Sequence, residues 1–218
     1  MKDKIKEFFQ DDFSVTKQPY ILSLVFALGL GWLFNSGLKV SDLVTQNSLY
    51  GFASLAIVIF AIWLSKKLGF NFINFKSFTF KDGLYAFAAF LVVKFLDILY
   101  TFIQFETGAN DQAIKDAFTG TPLWLLVISL AIVPAFVEEY IFRGFILRVV
   151  FRGHLLIGLI VSSILFTVSH GAGSFIEYIP YFYSAVIFGL VYLHTKKIET
   201  SILAHFLNNV LFSVSFLF

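Results

Sequence analysis

The chain contains no cysteine, which excludes disulfides, thiolate metal sites and a cysteine nucleophile. Charge is scarce: 14% of the 218 residues are Asp, Glu, Lys or Arg, where a soluble domain carries about 25%. The formal net charge is only +2, so nothing favours a nucleic-acid partner. Familiar catalytic signatures are missing as well. There is no His-Glu-x-x-His of the soluble zinc peptidases and no Gly-x-Ser-x-Gly nucleophile turn. Paired Gly-Asp spans of the intramembrane aspartyl type are also absent. No inverted half-repeat is present, which weakens a transporter reading. What fills the chain is apolar. Hydrophobic residues make up 58%, Phe alone contributes 30, and mean hydropathy is +0.83. The solvent such a chain expects is lipid.

Residues 1–18 are polar and mixed in charge and read as a cytoplasmic lead-in, with 19–218 as a single transmembrane domain. Seven apolar runs lie near 19–38, 49–64, 83–105, 122–151, 155–170, 175–194 and 198–218. Each approaches the roughly 20 residues that cross a bilayer as helix. An eighth helix arises if one run splits, or if a segment around 70–80 lies in the interface. Residues 106–120 read as an acidic-leaning loop. Basic residues set the threading. With the N-terminus inside, thirteen of the sixteen Lys and Arg fall on inside segments, Arg143, Arg148 and Arg152 among them. Lys39 and Lys115 fall outside, and Lys94 within a span. The positive-inside rule therefore predicts an all-α, polytopic bundle in a cell membrane, with a cytoplasmic N-terminus.

Charges inside such a bundle are costly and mark functional sites by default. Glu138, Glu139 and Arg143 follow the apolar run 121–137 directly. Residues four apart share a helix face, so Glu139 sits over Arg143, Phe166 over His170 and His205 over Asn209. Glu138 is turned about 100° from Glu139, which gives the two carboxylates different partners. At about 1.5 Å per residue from the cytoplasmic headgroups, Glu138 lies about 15 Å deep, His170 about 18 Å, His205 about 12 Å and Asn209 about 18 Å. Four polar groups from three helices are thus expected to meet in the cytoplasmic half of the membrane. A dry carboxylate is a competent general base, two imidazoles ligate a metal or hold a water, and an amide donates to developing negative charge. Glu with two His is also a recognised open zinc set, here Glu138, His170 and His205.

Glu-Glu-x-x-x-Arg, Phe-x-x-x-His and His-x-x-x-Asn, in that order on successive helices, resemble the motifs of the CPBP family. These are the CAAX prenyl endopeptidases and bacteriocin-processing (Abi) proteins, a family of intramembrane proteases. The resemblance covers roughly residues 120–218. It implies that Glu138 and His170 activate the attacking water, that His205 and Asn209 polarise the carbonyl, and that Glu139, Arg143 and Phe166 support them. Glutamate-dependent and zinc-dependent schemes have both been put forward for the family, so zinc stays open as a cofactor. Members often have eight helices.

The expected function is an endopeptidase that cuts a membrane-associated peptide, such as a leader, a bacteriocin or pheromone precursor, or a lipidated tail, near the cytoplasmic face. Its partners are that peptide and the lipid bilayer. A catalytically silent immunity or scaffold protein is the competing reading, and a small transporter the third, prompted by Lys94 and Asp97. Simpler roles attach to several residues. Glu139–Arg143 reads first as a structural ion pair, Lys94 and Asp97 as partners of each other, Glu177 as solvated, and Asn208 as an interhelical hydrogen-bonding group. Pro134 is expected to free a carbonyl and kink its helix.

Overall fold

The computed structural model describes residues 7–104 and 108–217. Most of the lysine-rich start of the lead-in therefore lies outside the described residues, as does Glu106. Among those described no strand forms, and a lone bridge joins Thr16 to Phe70. The helices are α1 (Tyr20–Ser41), α2 (Leu49–Lys67), α3 (Phe80–Tyr100), α4 (Ala109–Phe118), α5 (Leu123–Val150), α6 (Leu155–Val168), α7 (Tyr178–Thr195) and α8 (Ile198–Val214). Seven long helices thus stand where the seven apolar runs predict them. The eighth, α4, occupies the expected loop, whereas the 70–80 segment contributes only a single turn at Phe75–Ser77. Tyr20–Thr45, Leu49–Lys67, Phe80–Tyr100 and Leu123–Val150 are long and apolar enough to cross a membrane.

α1, α2 and α3 each bury a narrow stripe of mostly small residues and leave large apolar ones outside. On α1 the stripe is Ser23, Ala27, Leu30, Phe34, Gly37 and Ser41, at the three- and four-residue spacing of one helical face. Its other faces carry Leu28 and Trp32, 77% and 73% exposed. Small residues let helix backbones approach in lipid, where the hydrophobic effect no longer drives helices together. The α5–α6 hairpin needs the same device. Gly153 turns the chain at φ +80°, and a Cβ on Gly158 would meet the Leu147 carbonyl oxygen at 2.9 Å.

α5 departs from ideal geometry. Its hydrogen bonding widens to π-helix over Val127–Ile132 and again over Glu139–Val150. Pro134 follows the first wide stretch; its missing N–H leaves a carbonyl one turn earlier without the usual donor, and local widening of a helix re-satisfies such a group. The second begins at Glu139 itself, so the regular rise assumed for the depth of Glu138 does not hold beyond that point. Wide turns of this kind are frequent at functional sites.

At the end of the bundle that holds the basic residues, residues 8–18 form a strap. Asp11 and Asp12 both pair with the buried Arg148 guanidinium, at 3.1 and 2.5 Å. The Gly153 N–H donates to Asp11 at 2.9 Å, and Arg152 donates to the Gln18 carbonyl at 3.2 Å. Lys196 donates to the Phe8 carbonyl at 3.2 Å. Beneath the strap the rings of Phe70, Phe72, Tyr140 and Phe145 interlock, with centroids 5.3–6.4 Å apart.

Candidate active site

Glu139 is fully buried, and three groups converge on its carboxylate. Arg143 Nε lies 3.3 Å away, His205 Nδ1 3.0 Å, and the Ser201 hydroxyl donates to it. Arg143 also donates to the Ala185 carbonyl at 2.8 Å and sits over the Phe166 ring at 4.8 Å. The expected ion pair therefore forms, and it reaches further than a brace within one helix. Glu139 orients His205 from across the α5–α8 contact.

Glu138 faces the other way, toward the two histidines. Its Oε2 is 3.9 Å from His170 Nε2 and 3.9 Å from His205 Nε2, and has no hydrogen-bond partner. His170 Nδ1 lies 2.8 Å from the Phe166 carbonyl. With acceptors at both Nδ1 atoms, the proton of each neutral ring belongs on Nδ1, leaving Nε2 as a lone pair. Two lone pairs and a carboxylate oxygen therefore face one point, and each lacks a donor. Such a point suits a molecule that brings protons, and contacts longer than 3.5 Å are those a water bridges.

Aromatic rings hold both imidazoles. Phe166 lies 4.6 Å from His170 and 5.7 Å from His205, while Phe188 stacks on His205 at 4.9 Å. Tyr181 stacks on the outer face of His170 at 4.3 Å. Its hydroxyl donates to Asp111 at 2.9 Å and accepts from Asn110 at 3.1 Å, both on α4. Glu177 accepts from the Ala109 and Gly173 backbone N–H groups at 2.7 and 3.2 Å. It is thus a tether for α4 rather than a free surface carboxylate. Its carboxyl is held below the usual glutamate range by these backbone donors, Ala109 first.

The site opens into a cavity of about 1060 Å³, which Glu138, His170, His205, Asn208 and Asn209 all line. Asn209 accepts from the Asn208 amide at 3.3 Å. Pro134 and Ser129, from the widened part of α5, line the same space. So do Lys94 and Asp97, which pair with each other at 2.5 Å as expected.

A model of the type II CAAX prenyl endopeptidase Rce1-like family matches residues 120–211, the segment that carries all of these motifs. The membrane-embedded CAAX protease MroQ of Staphylococcus aureus (strain USA300) is 27% identical over 206 residues, covering 87% of this chain and 83% of that protein. Both matches support membership of the CPBP family for this chain. No solved structure matches it. It is a multi-pass membrane protein, and the family that both matches point to is one of peptidases.

Zinc, left open by the sequence, can be tested on the CPBP motif residues themselves. A tetrahedral shell with bonds of about 2 Å sets its donors roughly 3.3 Å apart. Here the Glu138 oxygen and each Nε2 are 3.9 Å apart. Among the described residues no group of three His, Asp or Glu side chains is placed to hold a metal ion. As positioned, the trio does not fit a resident metal.

The CPBP motifs point to Glu138, Glu139, Arg143, Phe166, His170, His205 and Asn209; the first six lie in or directly behind this one cluster, and Asn209 lines the same cavity. Ser201, Tyr181 and Asn208 complete it without any signal from motif spacing. One expectation is altered. The cavity runs from Glu138 toward the end of the bundle that carries Asp42, Thr101, Asp111 and Glu177, opposite the basic strap end. Depth counted from the cytoplasmic headgroups gives distance from one end; it does not say which end is open.

Proposed function

We propose that this chain hydrolyses a peptide bond of a membrane-associated peptide, with Glu138 as the reactive carboxylate. The observation that carries the reading is the convergence of Glu138 Oε2 and two Nε2 atoms, each 3.9 Å from it, while both Nδ1 atoms are engaged elsewhere. A water at that point gives up a proton to Glu138 as its oxygen attacks the scissile carbonyl carbon. His170, whose Nδ1 faces a neutral carbonyl, keeps a lone pair at Nε2 and orients the same water. His205 differs in having the Glu139 carboxylate at Nδ1. On substrate entry the ring can take up a proton from solvent, balanced by that carboxylate, and Nε2, then protonated, donates to the tetrahedral oxyanion beside the Asn209 amide. Collapse of the intermediate breaks the C–N bond, and protonated Glu138 returns its proton to the leaving amine.

Substrates of this site are peptide segments held at a membrane, of the leader, precursor or lipidated-tail kind. The names of the matched family and relative refer to CAAX proteins, but nothing in the proposed step requires a prenyl group. The test is to purify the wild type, Glu138→Gln and His170→Ala in detergent and incubate each with a library of quenched fluorescent peptides, with and without chelator. The reading expects cleavage by the wild type alone, unaffected by chelation. Equal turnover by all three proteins would overturn it. Activity lost on chelation and restored by zinc would replace the metal-free step, and inactivity of all three against every peptide would favour the silent scaffold.

A further inference from the structure

The two ends of the bundle differ in a way that bears on where substrate enters. One end carries Lys17, Lys66, Lys67, Arg152, Lys196 and Lys197, and by the positive-inside rule it faces the cytoplasm. That end is closed. The strap crosses it through the buried Arg148, and the Asn71 N–H donates to the Val15 carbonyl at 2.7 Å. Between strap and site stand the rings of Phe70, Phe72, Tyr140 and Phe145, and Tyr140 is only two residues from Glu138. Arg143, counted with this end by sequence, is a core residue 1% exposed and serves the site.

The opposite end is built differently. The cavity reaches from Glu138 to Thr101, Gly108 and Glu177, and among the described residues no comparable ring cluster crosses its path. Its rim holds Asp42, Asp111 and Glu177, and its lysine, Lys94, is neutralised by Asp97 at 2.5 Å. The other two Lys or Arg outside the basic end are Lys39 and Lys115. Charge and openness therefore select opposite ends of the same molecule.

We infer that the catalytic cavity opens to the extracytoplasmic side, so that the peptides it takes are exported ones lying on the outer leaflet. This rests on the endopeptidase reading for the word substrate, but the orientation itself stands on the threading alone. A polypeptide emerging from an export pathway, or a secreted peptide bound at the outer surface, reaches Glu138 through the α4 end without passing the strap. A cytosolic tail meets the closed end.

The cysteine-free chain makes the test direct. Ala113→Cys places a thiol on the exposed face of α4, and Lys76→Cys places one on the exposed 70–80 segment at the basic end. Intact cells expressing each variant are treated with a membrane-impermeant maleimide, before and after permeabilisation. The expected result is labelling of Ala113→Cys in intact cells and of Lys76→Cys only after permeabilisation; the reverse pattern overturns the proposal. A second arm adds the peptide library to the outside of sealed right-side-out vesicles carrying wild type or Glu138→Gln. Cleavage by wild-type vesicles alone supports the proposal. Cleavage in detergent but not by sealed vesicles overturns the orientation and leaves the peptidase reading intact. Cleavage in neither removes the peptidase reading, while the maleimide pattern still decides the orientation.

Discussion

The Glu139 carboxylate is satisfied by Arg143, His205 and Ser201, whereas Oε2 of its neighbour Glu138 meets no donor at all. One residue of helical rotation produces this difference, and helical rotation is legible in sequence. The spacing of Glu139 and Arg143, and of Phe166 and His170, likewise follows from one turn of helix. The link from Glu139 to His205 joins α5 to α8 across 66 residues, and no local spacing encodes it. Asn209 belongs to the same scale. If its amide stabilises the oxyanion, Asn209→Ala lowers kcat by about 10²–10³ with little change in KM. Steady-state kinetics on a cleaved library peptide check this. An equal loss in Asn208→Ala would move the donor to the neighbouring amide.

Among the elements, α4 was hidden because it is short and polar, with Phe118 its sole fully buried side chain. Signals for it do exist. Asp111 falls in its first turn and Lys115 in its last, as the helix dipole favours. Its tie to the site runs through Tyr181, an aromatic in an apolar helix that nothing in the sequence distinguishes. Tyr181→Phe keeps the ring stacked on His170 and removes the hydroxyl that meets Asp111 and Asn110. Loss of two hydrogen bonds worth about 1 kcal/mol each is expected to lower activity by up to about thirtyfold. Amide exchange over 109–118 should rise in step. Wild-type exchange in a variant that has lost activity would break the proposed link between α4 and His170.

At the scale of the whole molecule, composition and the seven apolar runs were enough to predict a membrane bundle, because hydropathy reports the solvent directly. The strap was not legible, since it depends on Asp11 and Asp12 meeting an arginine more than 130 residues away. Removing Arg148 leaves a buried Asp11 without its counter-charge, so Arg148→Met is expected to cost about 3–5 kcal/mol, read as a lowered melting temperature in detergent. The pH response follows from Asp12. Burial raises its pKa, but hydrogen bonds from Ser14 and the charge of Arg148 outweigh this and hold the carboxyl below the ordinary aspartate value. A depressed folded pKa means that the stabilisation is complete above the unfolded value, about 3.9, and is lost as pH falls through the folded one. Melting temperature should therefore be insensitive to this group from neutral pH to about pH 4 and fall below it, and Asp12→Asn should flatten that acid limb. An unchanged acid limb in Asp12→Asn would assign the loss to other carboxylates.

The central claim is that adjacent carboxylates divide the work, Glu138 reacting and Glu139 holding the site together. Glu138→Gln and Glu139→Gln, each assayed for peptide cleavage and thermal stability in the same detergent, test it most directly. Glu138→Gln is expected to melt with the wild type and to lose at least about 10²-fold in kcat, while Glu139→Gln melts at a clearly lower temperature. A Glu138→Gln protein that cleaves at the wild-type rate, or a Glu139→Gln protein as stable as the wild type, would contradict it.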